Sequence, residues 1–176
     1  MFKQKHIHFI GIGGIGMSAI AQVLFQKGFK VSGSDISQNH ITERLKKKIK
    51  IFNYHNSDNI KNAELVVYSS AIKKNNIELK EARKKKIPIF SRAMMLAEVM
   101  RLKPSITVAG SHGKTTTTSL IASILEVSGG DPTILSGGII NSLKLNAKLG
   151  RGEWIVAEAD ESDGSFTFLP STIGIE

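Results

Sequence analysis

Short apolar runs alternate with longer amphipathic stretches through the first hundred residues, and that alternation predicts a chain of β-strands and α-helices in turn. Strands are expected at about His6–Ile10, Lys30–Gly33, Leu65–Ser69 and Ile87–Phe90, and helices near Gly14–Gln26, Ile41–Lys48, Ile77–Lys86 and Arg92–Leu102. Such alternation argues for an α/β fold with a parallel, doubly wound sheet. Lys103-Pro104 ends the last of these helices, because the residue before a proline is disfavoured in the helical region. A domain boundary is expected there, with residues 1–103 as a Rossmann-like domain and 104–176 as a second α/β unit. That second unit reads as a strand at Ile106–Ala109, a helix at Thr115–Val127, a turn-rich Ser128-Gly129-Gly130-Asp131-Pro132, a Gly137-Gly138 segment and a strand at Glu153–Ala157. No repeat and no low-complexity tract interrupts it.

The most informative local feature is Val108-Ala109-Gly110-Ser111-His112-Gly113-Lys114-Thr115-Thr116-Thr117-Thr118, set between an apolar strand and a helical pattern. Triphosphate oxygens need many donors at close range, and only small residues let backbone N–H groups turn inward around them. Lys114 supplies a point charge for the outer phosphates, Thr115 a hydroxyl suited to Mg2+, and the helix starting near Lys114 directs its N-terminal dipole at the anion. The loop departs from the G-x-x-x-x-G-K-[ST] form, since Val108 stands where the first glycine would be. A generic GTPase or kinase therefore fits less well.

A second glycine loop, Gly11-Ile12-Gly13-Gly14-Ile15-Gly16-Met17-Ser18, follows the first strand and opens the first helix. It has the G-x-G-x-x-G form, and the strand ending at Asp35 places an acid roughly 20 residues past the last glycine, where ribose or base hydrogen bonds are made. A helix terminus behind such a loop holds a diphosphate. Asp35 also reads as a turn residue or helix N-cap.

Composition narrows the picture without deciding it. Of 176 residues, 41% are hydrophobic and none is cysteine, which excludes disulfides, thiolate metal sites and cysteine nucleophiles. No run of 18 consecutive apolar residues and no signal peptide is visible, so the expectation is a soluble, cytoplasmic protein without a membrane partner. The net charge of +9 gathers in Lys46-Lys47-Lys48 and Arg83-Lys84-Lys85-Lys86, without interleaved aromatics to stack bases. These runs read as solvated helix faces, and nucleic acid is not expected as a partner.

The acidic segment Glu158-Ala159-Asp160-Glu161-Ser162-Asp163 follows the last predicted strand at its carboxyl end, where open α/β sheets bind their ligands. Closely spaced carboxylates repel unless they are solvated or share a cation. With Thr115 upstream, Glu158 is the best placed to share one. Asp160, Glu161 and Asp163 read as an exposed acidic loop.

Five segments in this order resemble the Mur ligases of peptidoglycan precursor synthesis: Gly11 to Ser18, Ser32-Gly33-Ser34-Asp35, Tyr68-Ser69-Ser70-Ala71-Ile72, Gly110 to Thr116, and Glu158 to Asp163. The resemblance spans essentially the whole chain. It implies that the first domain holds UDP rather than NAD, with Gly11, Gly13, Gly14, Gly16, Asp35, Ser69 and Ser70 as contacts, and that Gly137-Gly138 and Asn141 lie near a muramic sugar. It implies ATP on Gly110, Ser111, His112, Gly113, Lys114, Thr115 and Thr116, Mg2+ on Thr115 and Glu158, and Lys114 and Glu158 as the catalytic groups. Within the family, the Gly-Ile-Gly-Gly-Ile-Gly-Met-Ser form favours members that add L-alanine to UDP-N-acetylmuramate over those that add preformed peptides.

A carboxylate at neutral pH is a poor electrophile. The family therefore transfers the ATP γ-phosphoryl group to the lactyl carboxylate first, and the amine then displaces phosphate. Family members continue beyond Glu176, so the resemblance further implies a fragment that does not ligate alone and whose second half exposes sheet edge and apolar surface. Two other classes remain on the residues themselves: a nicotinamide-dependent oxidoreductase, favoured by the first loop, and a non-catalytic nucleotide-binding module.

Overall fold

Strand β1 (His6–Ile10) is the axis around which the first half of the chain is arranged. The computed structural model describes residues 5–140, 145–159 and 169–176. The chain divides into two compact units, Met1–Arg92 and Ala93–Glu176. In the first, β1 is joined by β2 (Lys30–Ser34), β3 (Lys50–Phe52), β4 (Leu65–Tyr68) and β5 (Ile89–Ser91) in the order β3-β2-β1-β4-β5, and every pairing is parallel. Helix α1 (Ile15–Gln26) connects β1 to β2, α2 (His40–Lys46) connects β2 to β3, and α3 (Ile77–Lys84) connects β4 to β5. The chain steps outward from β1 through β3 and then returns to the other side of β1 with β4. That reversal opens a crevice at the carboxyl ends of β1 and β4, the place where doubly wound sheets take ligands.

Burial explains the order. Parallel strands covered on both faces are apolar along their length, and Ile7, Phe9 and Ile10 of β1 are at most 2% exposed. Helix α1 packs with Met17, Ile20, Val23 and Leu24 buried. A further core gathers Ile10, Ile60, Ala63, Val66, Leu79 and Ala82. Each large side chain so buried contributes about 1.5 to 3 kcal/mol.

Where elements differ from the sequence pattern, local hydrogen bonding gives the reason. Helix α2 stops at Lys46 instead of running through Lys48, because the N–H groups of Lys48 and Ile49 both turn back to the Leu45 carbonyl and bury Ile49. Strand β3 follows at once, a three-residue edge strand that the pattern does not reveal. After α3, Lys86 takes φ 55°, and β5 begins only after Pro88.

The second unit holds α4 (Arg92–Met100, which starts at the junction), β6 (Ser105–Val108), α5 (Lys114–Val127), β7 (Thr133–Ile140), β8 (Leu145–Lys148), β9 (Ile155–Glu158) and β10 (Ile173–Ile175). Its sheet order is β10-β6-β9-β7-β8. Strands β10, β6, β9 and β7 pair in parallel, whereas β8 pairs antiparallel with β7, so this sheet is mixed. Gly137 and Gly138 fall inside β7 and do not form a separate turn. Along α5, Leu120, Ile124 and Val127 are exposed. Among the described residues no helix is long and apolar enough to cross a membrane.

Candidate functional site

Each unit sends a glycine loop from the carboxyl end of an interior parallel strand into the start of a helix. In the first, the N–H groups of Gly11 and Ile12 donate to the Ser34 carbonyl at 2.8 and 3.2 Å, pinning the loop to the end of β2. The N–H of Gly13 donates to Oδ2 of Asp35 at 2.7 Å, and the other oxygen of Asp35 accepts from Ser37 N at 2.8 Å. A Cβ at Gly13 would stand 2.8 Å from both Asp35 Oδ2 and Thr42 Cγ2, so only glycine lets the loop approach so closely. Asp35, expected as a ribose contact, is here also the clamp on the loop.

Gly14 is the N-cap of α1. No side chain caps this helix, and no acid lies in its first turn. Helices α2 and α3, by contrast, are capped by the side chains of Asn39 and Asn76. A helix N-terminus that no side chain caps carries a positive partial charge, which suits an anion. Gly16 lies in the first turn, and a Cβ there would meet Arg92 Nη1 at 3.2 Å. Arg92, known from the sequence only as a helix start, thus brings a guanidinium against this helix end.

On the other side of β1, the N–H of Ser69 donates to the Ile10 carbonyl at 3.1 Å, and the Ser69 Cβ would be 3.1 Å from a Cβ at Gly11. Ser70 follows, exposed. Gly11, Gly13, Gly14, Asp35 and Ser69 are therefore gathered where β1, β2 and β4 end. Asn141 lies outside the described residues.

Behind the loop sits a polar cluster that the sequence does not announce. Glu78, fully buried at the start of α3, accepts from the Ser34 hydroxyl at 2.6 Å and from the Asn59 amide at 2.6 Å. The His55 Nδ1 atom is 3.1 Å from both Glu78 Oε2 and the Ser34 hydroxyl, and His8 Nε2 is 3.8 Å from Glu78 Oε1. Burial raises the Glu78 pKa, but the His8 ring, the Ser34 hydroxyl and the Asn59 amide outweigh it, and the carboxyl is held below its usual value. His6 and His8 both pair with the Ser32 hydroxyl, at 2.7 and 2.8 Å, and burial pushes His6 below the usual histidine value. In sequence Glu78 reads only as an acid in the first turn of a helix. Its hydrogen-bond partners Asn59 and Ser34 lie 19 and 44 residues away along the chain, and His8 farther still.

In the second unit, β6 ends at Val108, and the Ala109 N–H donates to the Ile175 carbonyl at 2.8 Å. Gly113 is the N-cap of α5 with φ 77°, a left-handed conformation that favours glycine. Like α1, α5 has no side-chain cap and no acid in its first turn. The Lys114 ammonium donates to the Gly110 carbonyl, so the lysine arches back over its own loop. Ser111, His112 and Thr116 are exposed, and Thr115 is half-buried in the first turn.

Glu158 ends β9, directly opposite Val108 in the parallel register, and the Ala159 N–H donates to the Val108 carbonyl at 2.9 Å. Glu158 is only 8% exposed, and its carboxylate accepts from the Ser136 hydroxyl of β7 at 2.7 Å. The strand that feeds the loop and the strand that carries the acid are therefore neighbours. Asp160, Glu161 and Asp163 lie outside the described residues. Among the described residues no three His, Cys, Asp or Glu side chains cluster to hold a metal.

Known proteins resemble this chain in sequence and fold. The sequence model of the "Mur ligase family, catalytic domain" matches residues 6–104. A UDP-N-acetylmuramate--L-alanine ligase of Rickettsia bellii is 58% identical over 170 residues, covering 96% of this chain and 36% of that protein. One of Bradyrhizobium diazoefficiens is 54% identical over the same share of each. The chain thus spans little more than a third of the length of these relatives. Among solved structures, the UDP-N-acetylmuramate-alanine ligase of Thermotoga maritima superposes with a TM-score of 0.89 at 37% identity, covering 96% of this chain and 40% of that one. The UDP-N-acetylmuramate:L-alanyl-gamma-D-glutamyl-meso-diaminopimelate ligase of Neisseria meningitides also reaches 0.89, at 28% identity, over 97% and 59%. With more than half its residues inside the family's sequence model, and its fold shared with solved members, this chain belongs to the Mur ligase family.

Proposed function

We propose that this chain carries the nucleotide-binding part of an ATP-dependent ligase that joins L-alanine to the lactyl carboxylate of UDP-N-acetylmuramate in peptidoglycan precursor synthesis. The observation that carries the reading is the pair of uncapped helix N-termini, α1 and α5, each behind its own glycine loop. A nicotinamide enzyme needs the first loop and gives the second no task.

In this reading the first loop takes the diphosphate of the UDP-sugar, with Gly11, Gly13, Gly14 and Gly16 forming the cradle and Asp35, Ser69 and Ser70 at its edges. The second takes ATP on Gly110, Ser111, His112, Gly113, Lys114, Thr115 and Thr116. The residues present fit Mg2+, a hard ion that prefers oxygen donors, because Glu158 offers a buried carboxylate beside β6 and Thr115 a hydroxyl in the first turn of α5. Such an ion would supply positive charge against the phosphates.

Lys114 swings from the Gly110 carbonyl to the outer phosphates and offsets charge as the γ-phosphoryl group moves. The lactyl carboxylate oxygen attacks the γ-phosphorus and ADP leaves, giving an acyl phosphate. The alanine amine adds to the acyl carbon, phosphate departs, and loss of the amine proton leaves the amide. The chain's own contribution is positioning and electrostatics. Ligation belongs to a protein of the relatives' full length, and this chain alone binds without ligating.

Calorimetric titration of the chain with UDP-N-acetylmuramate, and with NADH for comparison, tests the reading. Saturable binding of the UDP-sugar and none of NADH supports it. Binding of NADH alone overturns it in favour of the oxidoreductase class.

A further inference from the structure

We infer that Glu78 is a positioning residue for the first glycine loop, acting through Ser34. The inference deepens the reading of that loop as a UDP-sugar site. Ser34 is the last residue of β2 and faces two ways. Its carbonyl receives the N–H groups of Gly11 and Ile12, which open the loop. Its hydroxyl donates to Glu78 at 2.6 Å, and the next residue, Asp35, holds Gly13. A single short segment, Ser34-Asp35, thus fixes three successive loop residues, and the deepest anchor of that segment is a fully buried carboxylate.

The surroundings of Glu78 are built for an ionised group. Helix α3 carries it, β1 presents His8, β2 presents Ser34, the segment after β3 presents His55, and the 3-10 turn Ser57–Ile60 presents Asn59. The Asn56 N–H also points at Oε1, at 3.4 Å. Asp58 of that turn is exposed, and strand β5, packed on α3, brings no titratable side chain. His6 lies one step further, linked to His8 through Ser32. Both carboxylate oxygens are engaged, and burying a charge in this way is costly unless every partner is in place. An apolar residue would fill the same space at lower cost, but it would not hold the Ser34 hydroxyl. The polar solution holds Ser34, and through it the loop, together with Asn59 and the segment that carries His55.

The test combines amide exchange with ligand titration on the 176-residue chain, comparing wild type with Glu78→Leu, which fills the space but cannot accept from Ser34, with Ser34→Ala and with the double variant. Exchange at Gly11, Ile12 and Gly13 is expected to quicken about tenfold in each single variant, as loss of a hydrogen bond to a charged group implies. Exchange along β4 and β5 is expected to keep its wild-type rate. Affinity for UDP-N-acetylmuramate falls by a similar factor in each, and the double variant is no weaker than the worse single one, because both changes cut the same link.

If exchange quickens everywhere alike, Glu78 serves only general stability and the inference is overturned. It is overturned equally if the loop amides keep their wild-type rates. Should Glu78→Leu fail to fold, Ser34→Ala decides by the same readings. Absence of UDP-N-acetylmuramate binding by wild type would overturn the proposed ligand, while the exchange measurement would still decide the role of Glu78.

Discussion

The main-chain N–H of Gly13 donates to the carboxylate of Asp35 at 2.7 Å, across 22 residues of sequence, and so ties the glycine loop to the end of the neighbouring strand. The contact depends on the absence of a side chain at residue 13, where a Cβ would meet the same oxygen at 2.8 Å.

Gly13→Ala is therefore expected to cost about 1 to 3 kcal/mol of stability in the first unit, the range for forcing an extra methyl group into packed surroundings. It should also weaken UDP-N-acetylmuramate by at least about tenfold, since the displaced Asp35 releases the loop. Chemical denaturation and calorimetry read the two effects separately. Wild-type affinity in the variant would contradict a diphosphate role for this loop.

Lys114→Ala should lower ATP affinity by about tenfold to a hundredfold, the worth of a charge-assisted hydrogen bond. UDP-N-acetylmuramate affinity should stay within about twofold of wild type, because the two loops belong to separate compact units. Parallel titrations with the two ligands check this. Equal loss of both would mean that the substitution had damaged the whole chain.

Glu158→Gln retains an oxygen that can accept from Ser136 but removes the charge. Folding stability is expected to change by less than about 1 kcal/mol, while the enhancement of ATP binding by Mg2+ is lost. Titrating ATP with and without Mg2+, or with the ion removed by chelator, measures this. An unchanged Mg2+ effect would show that Glu158 holds no metal.

Two groups make the first unit acid-sensitive. Burial sets the folded His6 below its unfolded value of 6.5, so the unfolded chain binds that proton more readily, and stability begins to fall as the pH drops below 6.5. Glu78 is held below its unfolded value of 4.5, so its contribution is complete above pH 4.5 and is lost as the pH falls further, through the folded value. Stability should therefore be flat above neutrality and decline in two stages, with Glu78→Gln removing the second. Amide exchange along β1 follows this unit, whereas fluorescence of the single tryptophan, Trp154, follows the other. A β1 exchange profile independent of pH-linked stability between 7 and 4 would contradict the assignment.

Much of the fold was legible because its signals are local. The strand His6–Ile10 and the helix that ends at Gln26 matched the pattern nearly to the residue, as did the loops between strand and helix, since a glycine turn and a run of apolar residues need no distant partner to be recognised. The candidate loop residues were legible for the same reason. Strand β3 and the antiparallel β8 were not: three- and four-residue strands take their identity from the neighbour they pair with.

By itself, the sequence determined that strands and helices alternate, that two glycine loops each open a helix, and that an acid follows a strand at Glu158. Only the tertiary structure decided that Asp35 would clamp Gly13, that Arg92 would lie against Gly16, that Glu158 would stand opposite Val108, and that Glu78 would be buried among His8, Ser34, His55 and Asn59. The division follows from how the two kinds of information arise. Turn chemistry and hydrophobic period are properties of adjacent residues, whereas the partner of a buried charge is chosen by sheet order and register, which bring together residues that the chain keeps far apart.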